Sequence, residues 1–246
     1  MAHSPFAKEG GGKTAVLMIH GILGSPDHFR ELLPCVPADW SVRNVLLDGH
    51  GGSTADFART SMKKWEAQIA GQVEELAARH ERVVVVGYSM GSLLAMGAAT
   101  AQPGKIAGLF LLNVPLWAAP KPRSISLGLR VVFDRPSEDP AFHAAKAGCS
   151  IQLTRYIWKY VRWIPRYLEL FGKMRRVRKA MEGLALPCCA FQSAYDELVL
   201  KRSDILLQRH PTIETAVLRD SGHFYYAPAD LTQIKQRFEK FCTDII

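Results

Sequence analysis

Val83-Val84-Val85-Val86-Gly87-Tyr88-Ser89-Met90-Gly91-Ser92-Leu93-Leu94-Ala95-Met96 runs from four β-branched residues, through a Gly-x-Ser-x-Gly turn, into a string of helix formers. The valines do not alternate with polar side chains, so they read as a strand buried on both faces. The segment after the turn is rich in leucine, alanine and methionine, which favour helix. Strand, turn and helix in this order are the context in which Gly-x-Ser-x-Gly places a serine hydroxyl at the carboxyl end of a strand. Side chains two positions either side of the serine would strike the neighbouring elements, and Gly87 and Gly91 remove them.

The same alternation extends outward. Ala15–Ile19 and Val42–Leu47 read as strands, with a turn and short helix over Pro26–Leu33 between them. Met62–Arg79 reads as an amphipathic helix capped by Ser61. Beyond the central helix, Gly108–Asn113, Cys188–Gln192 and Thr215–Leu218 read as strands and Leu231–Cys242 as a closing helix. Non-alternating strands interleaved with helices predict an α/β fold. Its sheet is expected to be mostly parallel, of about six strands, with helices on both faces.

Residues 116–183 break the pattern. They are helical in flavour, interrupted by prolines, and too long for a simple connection, so a helical cap inserted over the carboxyl edge of the sheet is expected. The expected organisation is a flexible leader over 1–13, a core over 14–115 and 184–246, and a basic, aromatic cap over 116–183.

With 48% apolar residues in a chain of 246, one large domain with a deep core is within reach. The net charge of +8 is concentrated in the middle. Between Lys121 and Lys179 basic residues outnumber acidic ones 14 to 4, while the remainder carries 17 against 19. Nucleic-acid binding by the whole domain is therefore not expected. No apolar run reaches the ~18 residues of a membrane span. Cys35, Cys149, Cys188, Cys189 and Cys242 have no metal-type spacing, and their odd number argues against a disulfide framework, so a reduced, cytoplasmic protein is expected. No metal or organic cofactor is expected.

A serine hydroxyl needs a base to take its proton, and the base needs an acid to hold its tautomer. Following an elbow serine, the chain order is Ser, then Asp or Glu, then His. Asp196 follows the strand Cys188–Gln192, and His223 follows Thr215–Leu218, so both fall on the rim that carries Ser89. Glu197 competes with Asp196 for the acid role, and Asp220 reads as a turn residue. His20 and His50, in glycine-bearing loops, read as structural hydrogen-bond formers. His3, His28, His80, His143 and His210 read as surface or helix positions.

Charge on a tetrahedral intermediate calls for two N–H donors. Met90, at the helix start, offers one. The turn His20-Gly21-Ile22-Leu23-Gly24 offers the other, from Ile22 or alternatively Leu23. Gly21, Leu23 and Tyr88, beside these donors and the serine, are expected to line the substrate's reacting end.

Taken together, five ordered motifs resemble the α/β-hydrolase superfamily, in particular its small carboxylesterases and its monoacylglycerol-lipase or lysophospholipase-like members. They are His20-Gly21-Ile22-Leu23-Gly24-Ser25, Asp48-Gly49-His50-Gly51-Gly52-Ser53, Gly87-Tyr88-Ser89-Met90-Gly91, Asp196-Glu197 and Ser221-Gly222-His223. The resemblance implies Ser89, Asp196 and His223 as triad and Ile22 and Met90 as oxyanion donors. The expected substrate is a small-molecule carboxylic ester of short or medium acyl chain, with monoacylglycerols and lysophospholipids among the candidates. The same triad would also serve thioesters, amides, peptides or acyl transfer, and the fold also serves as a non-catalytic binder or membrane-docking module.

The resemblance says nothing about the cap. Its arginines and its aromatics Tyr156, Trp158, Tyr160, Trp163, Tyr167 and Phe171 read equally as a roof approaching anionic membrane or as rim packing with solvated charges. Lys173, Arg175, Arg176, Arg178 and Lys179 are the expected anion site under the first reading. Oligomeric state is open.

Overall fold

In the computed structural model, which describes residues 3–245, the valine strand lies in the middle of a seven-stranded sheet. The strands are β1 (Phe6–Lys8), β2 (Thr14–Ile19), β3 (Ser41–Val45), β4 (Arg82–Tyr88), β5 (Gly108–Leu112), β6 (Cys188–Ser193) and β7 (Ile213–Leu218). Their order is β1-β3-β2-β4-β5-β6-β7; β2 to β7 pair in parallel and β1 runs antiparallel to β3. The expected fold class holds: a mostly parallel sheet with helices on both faces.

Alternation along β4 divides the core. Val83 and Val85 face one apolar layer with α2 (Met62–Arg79) and α3 (Met90–Ala101). Val84 and Val86 face the other, with Phe110, Phe191 and Phe238 of α8 (Pro228–Ile245). All four valines are fully buried, and each contributes on the order of 1.5–3 kcal/mol. Helix α2 begins where its cap predicts, with the Ser61 hydroxyl accepting from the Lys64 N–H.

Two boundaries differ from expectation. Residues 6–8, read as part of a flexible leader, form edge strand β1, in register with Val42 to Asn44. The remaining departure is in the cap. It contains α4 (Pro122–Val132), α5 (Pro140–Gly148) and a 3-10 segment over Ile157–Trp163, followed by α6 (Ile164–Ala180). Helix α6 is not a roof: it packs against α2 and α3, burying Leu170, Met174 and Val177 in the sheet's own layer. Its charge-rich sequence hid this, because one of its buried residues is a lysine. Lys173 crosses the bare backbone of Gly97 to reach Glu66 on α2 at 2.8 Å. Packing against the helices of the sheet's own layer thus resumes with α6, inside the segment 116–183. Two further helices, α1 (Thr54–Arg59) and α7 (Lys201–Gln208), lie outside the sequence reading.

Candidate active site

Neither glycine of the elbow has room for a side chain. A Cβ on Gly87 would lie 2.6 Å from the Ser92 Cα, and one on Gly91 would lie 1.9 Å from the Ile19 carbonyl oxygen. Ser89 itself has φ 52° and ψ −120°, a conformation that costs a non-glycine residue on the order of 1–3 kcal/mol. The surroundings hold it there. The Ser89 N–H donates to the Leu112 carbonyl, and the Ser92 hydroxyl donates to the Gly87 carbonyl at 2.8 Å.

Three distant segments meet at this turn. His223 Nε2 lies 3.0 Å from Ser89 Oγ, and His223 Nδ1 lies 2.8 Å from Asp196 Oδ2. All three residues are buried. The other oxygen of Asp196 accepts the N–H groups of Leu198 and Val199, at 2.7 and 2.6 Å, so the carboxylate cannot rotate freely. Glu197, the competing acid, goes elsewhere: its Oε2 accepts the main-chain N–H of His223 at 2.6 Å. Asp220 is exposed in a turn, as expected.

The turn after β2 closes on the serine. Gly21 comes so near that a Cβ there would sit 3.0 Å from the Ser89 Cβ. Ile22 and Leu23 follow, Leu23 with φ 59°, and both pack on the α2–α3 side of the sheet. Met90 takes the first position of α3, where unpaired N–H groups and the helix dipole concentrate positive potential. His20 is the structural residue expected of it. Its Nε2 accepts the Leu47 N–H at 3.1 Å, so Nδ1 carries the proton and donates to the Gly21 carbonyl at 2.8 Å. Burial, with His50 beside it, pushes the His20 pKa well below the ordinary histidine value. Burial alone takes His50 down to about 4.

Tyr88, expected at the substrate, points to the opposite face of the sheet, as the even-numbered parity of Val84 and Val86 requires. Its ring stacks within 5.5 Å of the His223 ring and its hydroxyl donates to the His223 carbonyl. From that face it supports His223. His28 takes one of the helix positions expected of it, in a 3-10 turn over Pro26–Phe29; its ring centroid lies 4.6 Å from that of Tyr88, and burial brings its pKa down to about 4.

The supports of the site were not visible in the sequence. Asn113, at φ 51° just past β5, accepts the N–H and hydroxyl of Ser193 and turns its amide nitrogen toward the Gly222 and His223 carbonyls. Asp230, in the first turn of α8, accepts the N–H groups of Arg219 and Asp220 and the Ser221 hydroxyl. Ser150, after α5, donates to the Leu23 carbonyl through its N–H and to the Gly24 carbonyl through its hydroxyl. Only the strand-end position of Asn113 was a signal. The other two act across folds of the chain that spacing does not encode.

The expected anion cluster comes apart. Lys173 and Arg176 both bind Glu66, and Arg178 donates to the Leu116 carbonyl and stacks over Trp117, 4.5 Å from its ring centre. Arg175 and Lys179 remain exposed. Among the described residues no group of three or more His, Cys, Asp or Glu side chains is arranged to hold a metal ion.

The alpha/beta hydrolase fold family profile matches residues 14–183. This chain belongs to that family. It is 26% identical to a thermostable monoacylglycerol lipase of Bacillus sp. (strain H-257) over 231 residues, spanning 93% of this chain and 89% of that one. It is 34% identical to a pimeloyl-[acyl-carrier protein] methyl ester esterase of Neisseria meningitidis serogroup B over 97 residues, 39% of this chain and 34% of the other. Among solved structures, one of two metagenome-derived lipolytic enzymes superposes with a TM-score of 0.78 at 22% identity, covering 99% of this chain and 98% of that one. A monoacylglycerol lipase of Paleococcus ferrophilus superposes with a TM-score of 0.70 at 18% identity over the full length of both chains.

Proposed function

We propose that this chain is a serine hydrolase of carboxylic esters, with Ser89 as nucleophile, His223 as general base and Asp196 as the acid that orients it. The observation that carries the reading is the buried hydrogen-bonded line from Ser89 Oγ through the imidazole to Asp196, at 3.0 and 2.8 Å. Ser89 Oγ attacks the ester carbonyl while His223 Nε2 takes its proton. The N–H groups of Ile22 and Met90 receive the developing oxyanion, and the tetrahedral intermediate collapses as the imidazolium returns that proton to the departing alcohol. Water then repeats the sequence on the acyl-enzyme, releasing the acid and restoring the serine. The chemistry draws on no metal or organic cofactor.

A short or medium acyl chain is the proposed specificity, in keeping with the lipase and esterase names of the relatives. The division into a core and a cap over the serine's rim belongs to the same reading. A nitrophenyl ester series from two to sixteen carbons, run beside acyl-CoA and anilide substrates, tests it. Turnover is expected to peak at or below about ten carbons and to exceed thioester and anilide turnover. Faster turnover of acyl-CoA or anilide would move the function to thioester or amide hydrolysis.

A specific observation favours peripheral contact with lipid. Trp158 and Leu168 are each 64% exposed, and Ile157, Val161, Ile164 and Phe171 beside them in sequence are also exposed, with Lys159 and Arg162 between. Apolar side chains interspersed with bases suit an anionic lipid surface. Trp158 fluorescence is expected to shift to the blue on adding phosphatidylglycerol vesicles and to recover in 0.5 M salt. An unchanged spectrum would remove the membrane from the account. Among the described residues no helix is long and apolar enough to cross a membrane. The five cysteines are free thiols, which supports a cytoplasmic setting.

A further inference from the structure

Asp196 and Glu197 are adjacent, both buried, and both aimed at His223, yet only one touches the ring. Asp196 takes the ring Nδ1. Glu197 takes the backbone: its Oε2 accepts the His223 N–H at 2.6 Å, and a Cβ on Gly222 would lie 2.7 Å from the same oxygen. The His223 carbonyl is held from the opposite side by the Tyr88 hydroxyl and the Asn113 amide. The base is thus clamped at both ends of its main-chain unit, and one jaw of the clamp carries a carboxylate.

We infer that Glu197 is a positioning residue for His223. It fixes the main chain of the base and adds a second buried negative charge that favours the imidazolium formed when Ser89 gives up its proton. The inference rests on the triad reading above. Two effects separate cleanly. Accepting the N–H requires only an oxygen, which glutamine supplies. Favouring the imidazolium requires the charge, which glutamine lacks.

The charged and titratable groups facing this position come from several elements. Arg123 of α4 lies 3.6 Å from Glu197 Oε1 and also binds Asp139, and it is more than half exposed. Lys121 donates to the Asp196 carbonyl. Tyr88 lies beside the His223 ring, and His28 lies beside Tyr88. Tyr226, three residues after His223, meets Asn113 from across the site, and Asp230 holds Arg219, Asp220 and Ser221 just before His223. Among the described residues, Asp196 and Glu197 are the carboxylates that bond directly to His223. Arg123 offsets part of the Glu197 charge from the solvent side, where water screens it.

The test compares Glu197→Gln and Glu197→Ala with wild type on one nitrophenyl ester, across pH 5 to 9. Glu197→Ala is expected to lower kcat about 10- to 100-fold with KM nearly unchanged, since a base displaced by a fraction of an ångström loses its approach to the hydroxyl. Glu197→Gln is expected to restore most of kcat. It is also expected to move the acid limb of the kcat/KM profile to lower pH, because losing a negative charge makes the imidazole harder to protonate. If Glu197→Ala does not fold, the glutamine variant alone decides. An unmoved acid limb in Glu197→Gln, or wild-type kcat in Glu197→Ala, overturns the inference. Neither outcome touches the triad, whose failure would instead show as activity surviving in Ser89→Ala.

Discussion

Ser89→Ala is expected to lower kcat/KM on a short-chain nitrophenyl ester on the order of a million-fold, to the level supported by binding and oxyanion donors alone. Water is then the only nucleophile left, and nothing positions it on the carbonyl carbon. The fold is expected to survive. The serine loses one hydrogen bond, to His223 Nε2, worth about 1 kcal/mol, which shifts the melting temperature by roughly 2–4 °C in a chain of this size. The bonds that set the elbow run through the Ser89 main chain and the Ser92 hydroxyl, and alanine leaves them intact. A variant with undiminished turnover and an unchanged melting curve would remove Ser89 from the chemistry.

Asp196→Asn is expected to cost about 10⁴-fold in kcat. The reason lies in the unequal duties of the two carboxylate oxygens. Oδ1 accepts the Leu198 and Val199 N–H groups, so the oxygen of an asparagine must stay on that side. The amide nitrogen is then forced toward the His223 ring. It can only donate there, so the ring nitrogen facing it becomes the acceptor and the proton moves to Nε2. An imidazole in that tautomer presents an N–H to Ser89 and cannot take its proton. A shape-conserving change thus inverts the base. Measured beside it, Glu197→Gln is expected to do far less harm. The reverse ranking would show the acid to be misplaced by one residue.

How much of this could be read from the chain follows the range of the forces involved. The elbow was legible because its sterics are local: Gly87 and Gly91 act on neighbours within five residues or on the adjacent strand. The meeting of Ser89, Asp196 and His223 was legible because strands β6 and β7 announce their carboxyl ends, where Asp196 and His223 sit. Helix α2 was legible from its cap and its apolar stripe. The orientation of Tyr88 was within reach of the same reasoning, since strand parity puts it with Val84 and Val86, away from the helix that starts at Met90. Non-local pairing was not. The three exposed residues of β1 carry no pattern, and their order comes from hydrogen bonds to β3, more than 30 residues away. The charges of α6 suggested a wet face because Glu66, which pairs with both Lys173 and Arg176, lies over a hundred residues earlier. Charge counting sees the sign of a side chain but not its partner.

Inhibition by a fluorophosphonate, followed by peptide mass spectrometry, tests the central claim most directly. A phosphonyl adduct is expected on the peptide carrying Ser89, at one per chain, accumulating in step with the loss of ester hydrolysis and absent in the His223→Ala variant. Ester hydrolysis that continues with Ser89 fully labelled, or an adduct that forms on another residue as activity disappears, would contradict the account.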